Sequence, residues 1–197
     1  MNNCQQLDRL IEKYGGTIRT SQVLEAGVNK SDFYAYVKKR GLEQEAHGVY
    51  VSPDAWKDTM YLLHLRCGQA VFSHDTALSF HDLTDREPFH YSITVKMGYN
   101  PSRLREDGFQ VYTVKKELHQ IGATAMQTPF GHTVPVYDKE RTICDLLRSR
   151  SRIESQVFQE ALKQYARRKD KDLRTLMQYA ALFHVEKLLH QYLEVLL

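Results

Sequence analysis

The chain has 197 residues, 42% hydrophobic and 26% charged, with a formal net charge of +3, which is typical of a folded globular protein with one domain or two small ones. No run approaches the 18 apolar residues of a membrane span, and the stretch MNNCQQLDRLIEKY lacks the apolar core of a secretory signal. Three scattered cysteines favour neither a disulfide framework nor a zinc site, so we expect a cytoplasmic protein that contacts no membrane and needs no metal or cofactor.

Three short helices and a hairpin are predicted in residues 1–52. Apolar residues at helical spacing predict a first helix that stops at Gly15-Gly16 and a second that ends at Gly27. A third helix is predicted from a cap near Asn29 to Gly41, followed by two short strands around a turn at His47-Gly48. This order is typical of a winged helix-turn-helix, in which the third helix enters the major groove and the hairpin is the wing.

A second domain is predicted from residue 53 to residue 197. Pro53 is expected to open a helix whose core stripe includes Trp56. Strand-like runs then follow, with turn signals between them, at residues 91–95, 110–114, 123–128 and 133–137. The remaining residues show helical periodicity. The predicted fold class is therefore α+β: an N-terminal winged helix-turn-helix domain and a mixed α+β domain with a helical tail.

One face of the third helix is a candidate DNA-contacting surface. With Phe33 and Val37 turned to a core, the helical period directs the opposite face outward. The N-terminal residues of a recognition helix usually touch base edges, whereas its cations hold phosphates. The candidates on this helix and in the wing are Asn29, Lys30, Ser31, Tyr34, Lys38, Lys39, Arg40 and His47. Such a helix also serves protein partners, and its last cations also complement the helix dipole, so both alternatives stay open.

The positive charge of the chain is concentrated in one later segment. Residues 1–54 contain seven basic and seven acidic residues, whereas residues 139–174 contain eleven and six, a net charge of +5. In this segment three arginines and Asp145 recur at intervals of four, three and four residues, which predicts one polar stripe on a helix. A solvated helical face is the competing interpretation. The predicted second-domain basic surface, for a DNA backbone or an acidic partner, comprises Arg141, Arg148, Arg152, Arg167, Arg168, Lys169 and Lys171.

The histidines and carboxylates indicate no metal site and no catalytic site. His74 and His81 are seven residues apart, whereas helical metal ligands usually lie three or four apart, so capping and packing roles are expected. The sequence contains no glycine-rich phosphate loop and no GxSxG motif. The acidic residues near Asp138 lack the companion motif of a metal-dependent nuclease. We therefore expect that the protein is not an enzyme.

Two motifs in the second domain, together with the N-terminal pattern, indicate a family. The pattern GGTIRTSQVLEAGV…FYAYVKKRGLEQEAHGVYV is followed by VFSHDTALSFHDLTDREPFHYSITVKMGYN and by VPVYDKERTICDLLRSR. These stretches resemble the winged helix, the Ser-x-x-Ser/Thr-Ala-Leu helix and the Tyr-Asp-x-Glu-Arg-Thr-x-x-Asp segment of AbiEi-type antitoxins. The resemblance extends from about residue 5 to the C-terminus. The matching motif residues are Ser73, Thr76, Ala77, Leu78, Tyr137, Asp138, Glu140, Arg141, Thr142 and Asp145.

The resemblance implies an antitoxin of a bicistronic phage-resistance (abortive infection) system of type IV. Such proteins repress their own operon by binding inverted repeats in the double-stranded operator through the winged helix. Their C-terminal domain counteracts a nucleotidyltransferase-type toxin, without requiring a stable complex. The family is not regarded as enzymatic, in agreement with the motif search.

The wing departs from the family pattern. Relatives often carry an arginine before Gly-Val-Tyr, whereas LEQEAHGVYV has Glu43 and Glu45, with His47 as the only donor. Two carboxylates would repel DNA phosphates, so we expect that they face the domain body or that the wing contributes little. The charge surplus of the later segment then leads to the hypothesis that both domains touch the operator.

Two other functions stay open. One is a winged-helix transcription regulator with a ligand-sensing second domain and no toxin partner, and the other is a nuclease-like enzyme. A nucleotidyltransferase gene directly downstream would favour the antitoxin. Cleavage of nucleic acid that depends on a divalent metal would favour the enzyme.

Overall fold

The computed structural model describes residues 3–196, and the side chains of residues 3–194. The chain divides into two compact units, the first ending at Gly68 and the second beginning at Gln69. The architecture is mixed α+β with a separate sheet in each unit. In the described part of the chain, no helix combines the length and the apolar character needed to cross a bilayer.

The first unit contains four helices and a three-stranded antiparallel sheet with the order β1-β3-β2. The three helices and the hairpin lie where they were predicted, and the middle strand, β3, pairs with both neighbours. The elements are α1 (Asn3–Lys13), β1 (Thr17–Arg19), α2 (Thr20–Glu25), α3 (Lys30–Arg40), β2 (Glu43–Ala46), β3 (Val49–Val51) and α4 (Thr59–Arg66).

Helix α3 has clear local start and stop signals. At its start, the side chain of Asn29 accepts a hydrogen bond from the backbone N–H of Asp32 at 2.8 Å, which satisfies a donor that the first turn leaves free. At its end, Gly41 adopts a left-handed conformation with φ of 67°, which costs glycine little. Phe33 and Tyr36 are buried and Val37 is half-buried, so one face of the helix packs on the core.

The division between the units lies later than the predicted step at Ser52-Pro53. Lys57 Nζ lies 2.7 Å from Glu43 Oε2 and 2.6 Å from Glu45 Oε1, and α4 packs against the same strand, β2. The segment after Pro53 therefore belongs to the first unit. Trp56, predicted in a core stripe, is instead 82% exposed, because the helix begins only after a cap at Asp58.

The second unit contains a five-stranded mixed sheet with the order β6-β5-β4-β8-β7. The pairs β5/β6 and β4/β8 are parallel, and the other two pairs are antiparallel. Its strands are β4 (Val71–Phe72), β5 (Ser92–Lys96), β6 (Gln110–Val114), β7 (Ala123–Gln127) and β8 (Thr133–Tyr137). The four predicted strands are present; the central strand β4, of two residues, was not predicted because it is too short to show a pattern.

The helices of the second unit are α5 (His74–Phe80), α6 (Ser102–Glu106), α7 (Lys139–Arg148), α8 (Ser155–Arg167), α9 (Leu173–Leu182) and α10 (Glu186–Leu196), with 3₁₀ turns at Lys116–Leu118 and Arg150–Arg152. Helix α7 is central, because it contacts α5, α8, α9 and α10. Every residue from Glu140 to Leu147 is buried, including three charged ones. Helix α7 therefore places charged side chains as well as apolar ones in the core, where the charges need partners from within the protein.

Candidate functional site

Helix α3 presents its outer face to solvent. The predicted contact residues on that face, from Asn29 to Arg40, are all exposed, and His47 in the turn between β2 and β3 is exposed as well. Among residues 3–196, no hydrogen bond or ion pair engages the ammonium groups of Lys30, Lys38 or Lys39. The face therefore offers unpaired cations to an anionic partner.

Arg40 differs from these lysines because it is held by the domain itself. Its Nη2 donates to both carboxylate oxygens of Asp8, at 2.9 and 3.0 Å, and Tyr36 Oη donates to the same carboxylate at 2.6 Å. The Tyr36 hydrogen bond is the main reason that the pKa of Asp8 is lowered. Burial, followed by Asp8, raises the pKa of Tyr36 to about 12. The ion pair between Arg40 and Asp8 joins α1 to the end of α3. It leaves the Arg40 guanidinium less available to an anionic partner than the Lys38 ammonium.

Tyr34 lies at the centre of the exposed face. Its side chain is half-exposed, at 48%, and its ring centroid lies 6.4 Å from that of Tyr50 on β3, which in turn makes an edge contact with buried Phe33 at 5.2 Å. Burial, followed by the proximity of Tyr34, raises the pKa of Tyr50. The aromatic contacts hold the Tyr34 ring in place while its edge stays open to solvent.

The two carboxylates of the wing are neutralised within the first unit. Glu43 and Glu45 both bind Lys57, and this pairing raises the pKa of the lysine ammonium. The backbone carbonyl of Gly48 accepts from the N–H of Thr20 at 2.9 Å, which ties the turn of the wing to the start of α2. We expected that these carboxylates face the domain body or that the wing contributes little to DNA binding. Their contacts with Lys57 agree with the first alternative.

Arg141 contradicts the prediction of a surface stripe. Its side chain is 0% exposed, and its guanidinium carbon lies 4.0 Å from the ring centroids of both Tyr137 and Phe183. The group donates to Asp145 Oδ2 at 3.0 Å and to the carbonyls of residues 118 and 121 at 2.9 and 2.6 Å. The predicted stripe is correct for the spacing of Arg141 and Asp145, but these two face the core, where Asp145 and the two rings compensate the charge. Arg141 is therefore not part of a basic surface. Arg148 ends α7 with an exposed side chain, and Arg152 lies in the 3₁₀ turn beyond the helix.

The predicted basic residues between positions 167 and 171 divide into two groups. Arg167 and Lys169 are exposed. Arg168 donates to both oxygens of Asp170, at 2.7 and 3.0 Å, and to the carbonyl of His81, while Lys171 donates to the Arg168 carbonyl. Within YARRKDKDLR, Arg168 and Lys171 therefore make local contacts at the end of α8 and are not free basic groups.

Arg148 and Arg152 border a cavity of about 190 Å³ in the second unit. Arg148 donates to Asp145 Oδ1 at 3.1 Å, and the guanidinium carbon of Arg152 lies 4.4 Å from the ring centroid of Tyr112 on β6. The opposite face of Tyr112 stacks on the imidazole of His74, with centroids 3.4 Å apart. The cavity is lined by His74, Thr94, Tyr112, Thr113, Asp145, Arg148, Ser149, Ser151 and Arg152.

His74 is a buried, neutral member of that cavity wall. Ser73 Oγ lies 2.8 Å from Thr94 Oγ1 and 3.0 Å from His74 Nδ1. The other ring nitrogen of His74, Nε2, lies 3.1 Å from Ser149 Oγ, so both nitrogens have a hydroxyl partner. Burial, followed by the charges of nearby arginines, lowers the pKa of His74 well below its usual range. The packing role predicted for this histidine matches these contacts.

Sequence reasoning did not single out Tyr112 or Ser149. Both become site residues only because β6 and the end of α7 meet in the folded second unit, a contact that has no local signal in the sequence. Among the described residues, no group of three or more histidines, cysteines or carboxylates could hold a metal ion.

The second-unit motif residues that carry the family resemblance are buried there, apart from Asp138, which is half-buried. Asp138 caps α7 by accepting from the N–H of Arg141 at 2.7 Å, and Thr142 Oγ1 donates to the Asp138 carbonyl at 2.7 Å. Glu140 accepts from Tyr165 Oη at 3.1 Å. Thr76 Oγ1 accepts from the backbone N–H of residue 92 at 2.7 Å. These residues hold the helices to the sheet, so their role is structural.

The fold is similar to that of a solved structure, the RV2827C protein from Mycobacterium tuberculosis. The TM-score is 0.60 at 13% sequence identity, covering 88% of this chain and 69% of that chain. At this identity the likeness shows a shared fold alone. No protein-family model matches the chain, and no curated protein matches it.

Proposed function

We propose that the first unit is a winged helix-turn-helix that binds double-stranded operator DNA through the exposed face of α3. The observation that carries the proposal is a capped helix whose inner face is fixed by Phe33 and Tyr36 while its outer face exposes unpaired Lys30 and Lys38. A helix supported in this way is the element that enters the major groove in this class of domain. Exposed lysines hold phosphates there, and the residues at the helix start reach base edges.

We further propose that the protein represses its own operon and counteracts a nucleotidyltransferase-type toxin as an antitoxin of a phage-resistance system. The resemblance to AbiEi-type antitoxins supports this part of the proposal. Because the motif residues that carry the resemblance are internal, the surface that would meet a toxin must consist of other residues. The exposed cations Arg167 and Lys169 are the first candidates for it.

The experiment is a titration of the full chain with the DNA upstream of its own gene, over a series of salt concentrations. We expect specific binding that weakens with salt and that Lys38→Ala/Lys39→Ala abolishes at moderate salt. Each phosphate contact that is lost lowers the salt slope by about 0.9, so the double variant should lose about two units of slope.

The matched control is Lys115→Ala/Lys116→Ala, which removes the same charge from another exposed pair of neighbouring lysines. It should bind like the natural sequence. If the two double variants lose affinity equally, the binding is a general charge effect and α3 is not the recognition element. If the natural sequence shows no specific binding, the first unit is a protein-interaction module.

The cavity in the second unit favours a second candidate function. A regulator with a ligand-sensing second domain and no toxin partner needs a polar pocket, and the cavity bordered by Arg148 and Arg152 has that character. This function requires that a ligand of the cavity changes the affinity for the operator. A toxin that is counteracted in cells by this chain would favour the antitoxin instead.

A further inference from the structure

The cavity of the second unit lies between strand β6 and the turn that follows α7. It is lined almost entirely by polar side chains, which include two arginines, two serines, two threonines and one histidine. Apolar ligands are therefore poor candidates, because each polar group would lose its water without gaining a partner. The lining suits a small, charged, hydrogen-bonding ligand.

The charge of the cavity selects an anion. The lining contains two guanidinium groups, those of Arg148 and Arg152, and one carboxylate, that of Asp145, which leaves a surplus of one positive charge. Asp145 also binds the buried guanidinium of Arg141, so its charge is shared between two arginines. A second carboxylate, Asp75, does not line the cavity. This sign favours an anion such as a phosphate monoester, whose charge is about −1.5 to −2 at neutral pH.

Both arginines at the mouth of the cavity are already oriented. Arg148 is fixed by Asp145, and its guanidinium carbon lies 5.3 Å from the ring centroid of Phe183. Arg152 rests on Tyr112, whose ring is clamped from its other face by His74. A planar guanidinium held in one orientation binds phosphate oxygens in pairs with little loss of side-chain freedom.

The wall also offers a hydroxyl to the ligand. Ser149 lines the cavity, and its Oγ lies 3.1 Å from His74 Nε2. When that nitrogen carries the imidazole proton, Ser149 accepts from it and can donate its own proton to a ligand. Ser149 lies between the two arginines in the sequence, and all three residues line the cavity. Two guanidinium groups and one hydroxyl are a donor set that an anion with three or four oxygens can satisfy.

The volume suits a small group. Pockets that enclose a whole drug-sized molecule measure about 300–1,000 Å³, and this cavity measures about 190 Å³. It accommodates a phosphoryl group, and the remainder of a larger phosphomonoester would lie outside it.

We propose that the second unit binds a phosphate dianion, either free or as the terminal group of a small phosphomonoester, between Arg148, Ser149 and Arg152. The site lies wholly within the second unit. The proposal is therefore independent of DNA binding by α3.

The test is calorimetric titration of the full chain with inorganic phosphate and, separately, with phenyl phosphate. We expect saturable binding of at least one probe with a dissociation constant of about 1 mM or below. Binding of inorganic phosphate alone assigns a site for free phosphate, and binding of phenyl phosphate assigns a site for the end of an ester. Failure of both probes to bind overturns the proposal.

A matched pair of variants separates the site from general charge. Arg152→Met removes a lining guanidinium, whereas Arg150→Met removes the same charge from an exposed residue two positions away that does not line the cavity. We expect Arg152→Met to weaken phosphate at least about tenfold and Arg150→Met to change it less than about twofold. Equal weakening in the two variants would mean that the chain attracts anions without a site.

Two further measurements keep the result interpretable. Thermal unfolding of each variant shows whether the second unit is still folded, and Ser149→Ala tests the hydroxyl without altering any charge. We expect Ser149→Ala to weaken phosphate about threefold to tenfold and to lower the melting temperature only moderately, since His74 Nε2 also loses its hydroxyl partner. Displacement of phosphate by upstream DNA that persists in Lys38→Ala/Lys39→Ala would mean that the arginines contact a nucleic-acid backbone, and would overturn the assignment to a small ligand.

Discussion

Basic residues of the two units differ in whether they are exposed or are bound within the protein. On α3, Lys30, Lys38 and Lys39 are exposed without ion pairs among the described residues, although residues 1–54 are neutral as a whole. In the second unit the segment with net charge +5 contains Arg141, which is completely buried, and Arg168, which is bound to Asp170. Net charge along the sequence therefore does not measure the charge that a partner can reach.

The largest expected effect comes from removing the buried cation. Arg141→Met should lower the free energy of unfolding by about 3–5 kcal/mol, because Asp145 and two carbonyls would stay buried with fewer partners. Urea denaturation followed by far-ultraviolet circular dichroism measures the change. Arg150→Met, at an exposed position of the same segment, is the control and should change stability by less than about 0.5 kcal/mol. Similar losses of unfolding free energy in both variants would contradict the claim that the buried cation contributes more to stability than the exposed one.

The second effect is a pH dependence caused by His74. Its pKa is lowered in the folded state, so the unfolded chain binds more protons once the pH falls below the usual histidine pKa of about 6.5. Stability should therefore fall with decreasing pH, by at most about 1.4 kcal/mol per pH unit for this one group. His64 and His119, with pKa values also lowered by burial, add to the slope.

His74→Asn isolates that contribution. Asparagine tolerates the left-handed conformation of position 74, where φ is 49°, and cannot be protonated. Melting temperatures between pH 7.5 and pH 5 should fall less steeply in the variant than in the natural sequence. An unchanged slope would mean that His74 accepts a proton in the folded chain without cost, and that the surrounding arginines do not suppress it.

A third effect concerns the contact that holds Arg40. Tyr36→Phe removes the 2.6 Å hydrogen bond to Asp8 while keeping the buried ring. A hydrogen bond to a charged group contributes about 1.5–3 kcal/mol, and we expect a loss at the low end of that range because Asp8 is accessible to water. Urea denaturation measures the loss, and Tyr14→Phe, with no such bond in the described residues, is the control. No difference between the two variants would show that the contact does not stabilise the first unit.

The smallest effect tests the wing. Lys57→Ala leaves Glu43 and Glu45 without their common partner. If the wing approaches the operator, the two carboxylates should weaken DNA binding a few-fold at low salt, and the effect should vanish at high salt. The titration used for the lysine pairs measures it. Unchanged affinity at low salt would mean that the wing stays away from the phosphates.

Local signals in the sequence predicted most of the fold. The stop at Gly41, the cap at Asn29 and the runs that became β6 and β8 are encoded by neighbouring residues, and the structure confirms them. The two-residue strand β4 and the late start of α4 have no comparable signal, because both depend on contacts with distant residues. Trp56 is exposed because α4 starts after it.

The candidate sites were predictable only in part. The outer face of α3 follows from the helical period, because Phe33 had to be inside. The same period placed Arg141 and Asp145 on one face but could not show that a second layer of helices covers that face. The cavity around Ser149 brings together β6, α5 and the end of α7, and no pattern within any one of these segments indicates it.

The exposed indole gives the first unit an optical signature of its own. Trp56 is the only tryptophan of the chain, it belongs to the first unit, and its side chain is 82% in contact with solvent. Its emission in the folded protein is therefore that of a hydrated indole, and a molecule that covers Trp56 should shift the emission to shorter wavelength. One sample of the natural sequence, without any attached dye, can thus show whether a bound molecule covers this part of the first unit.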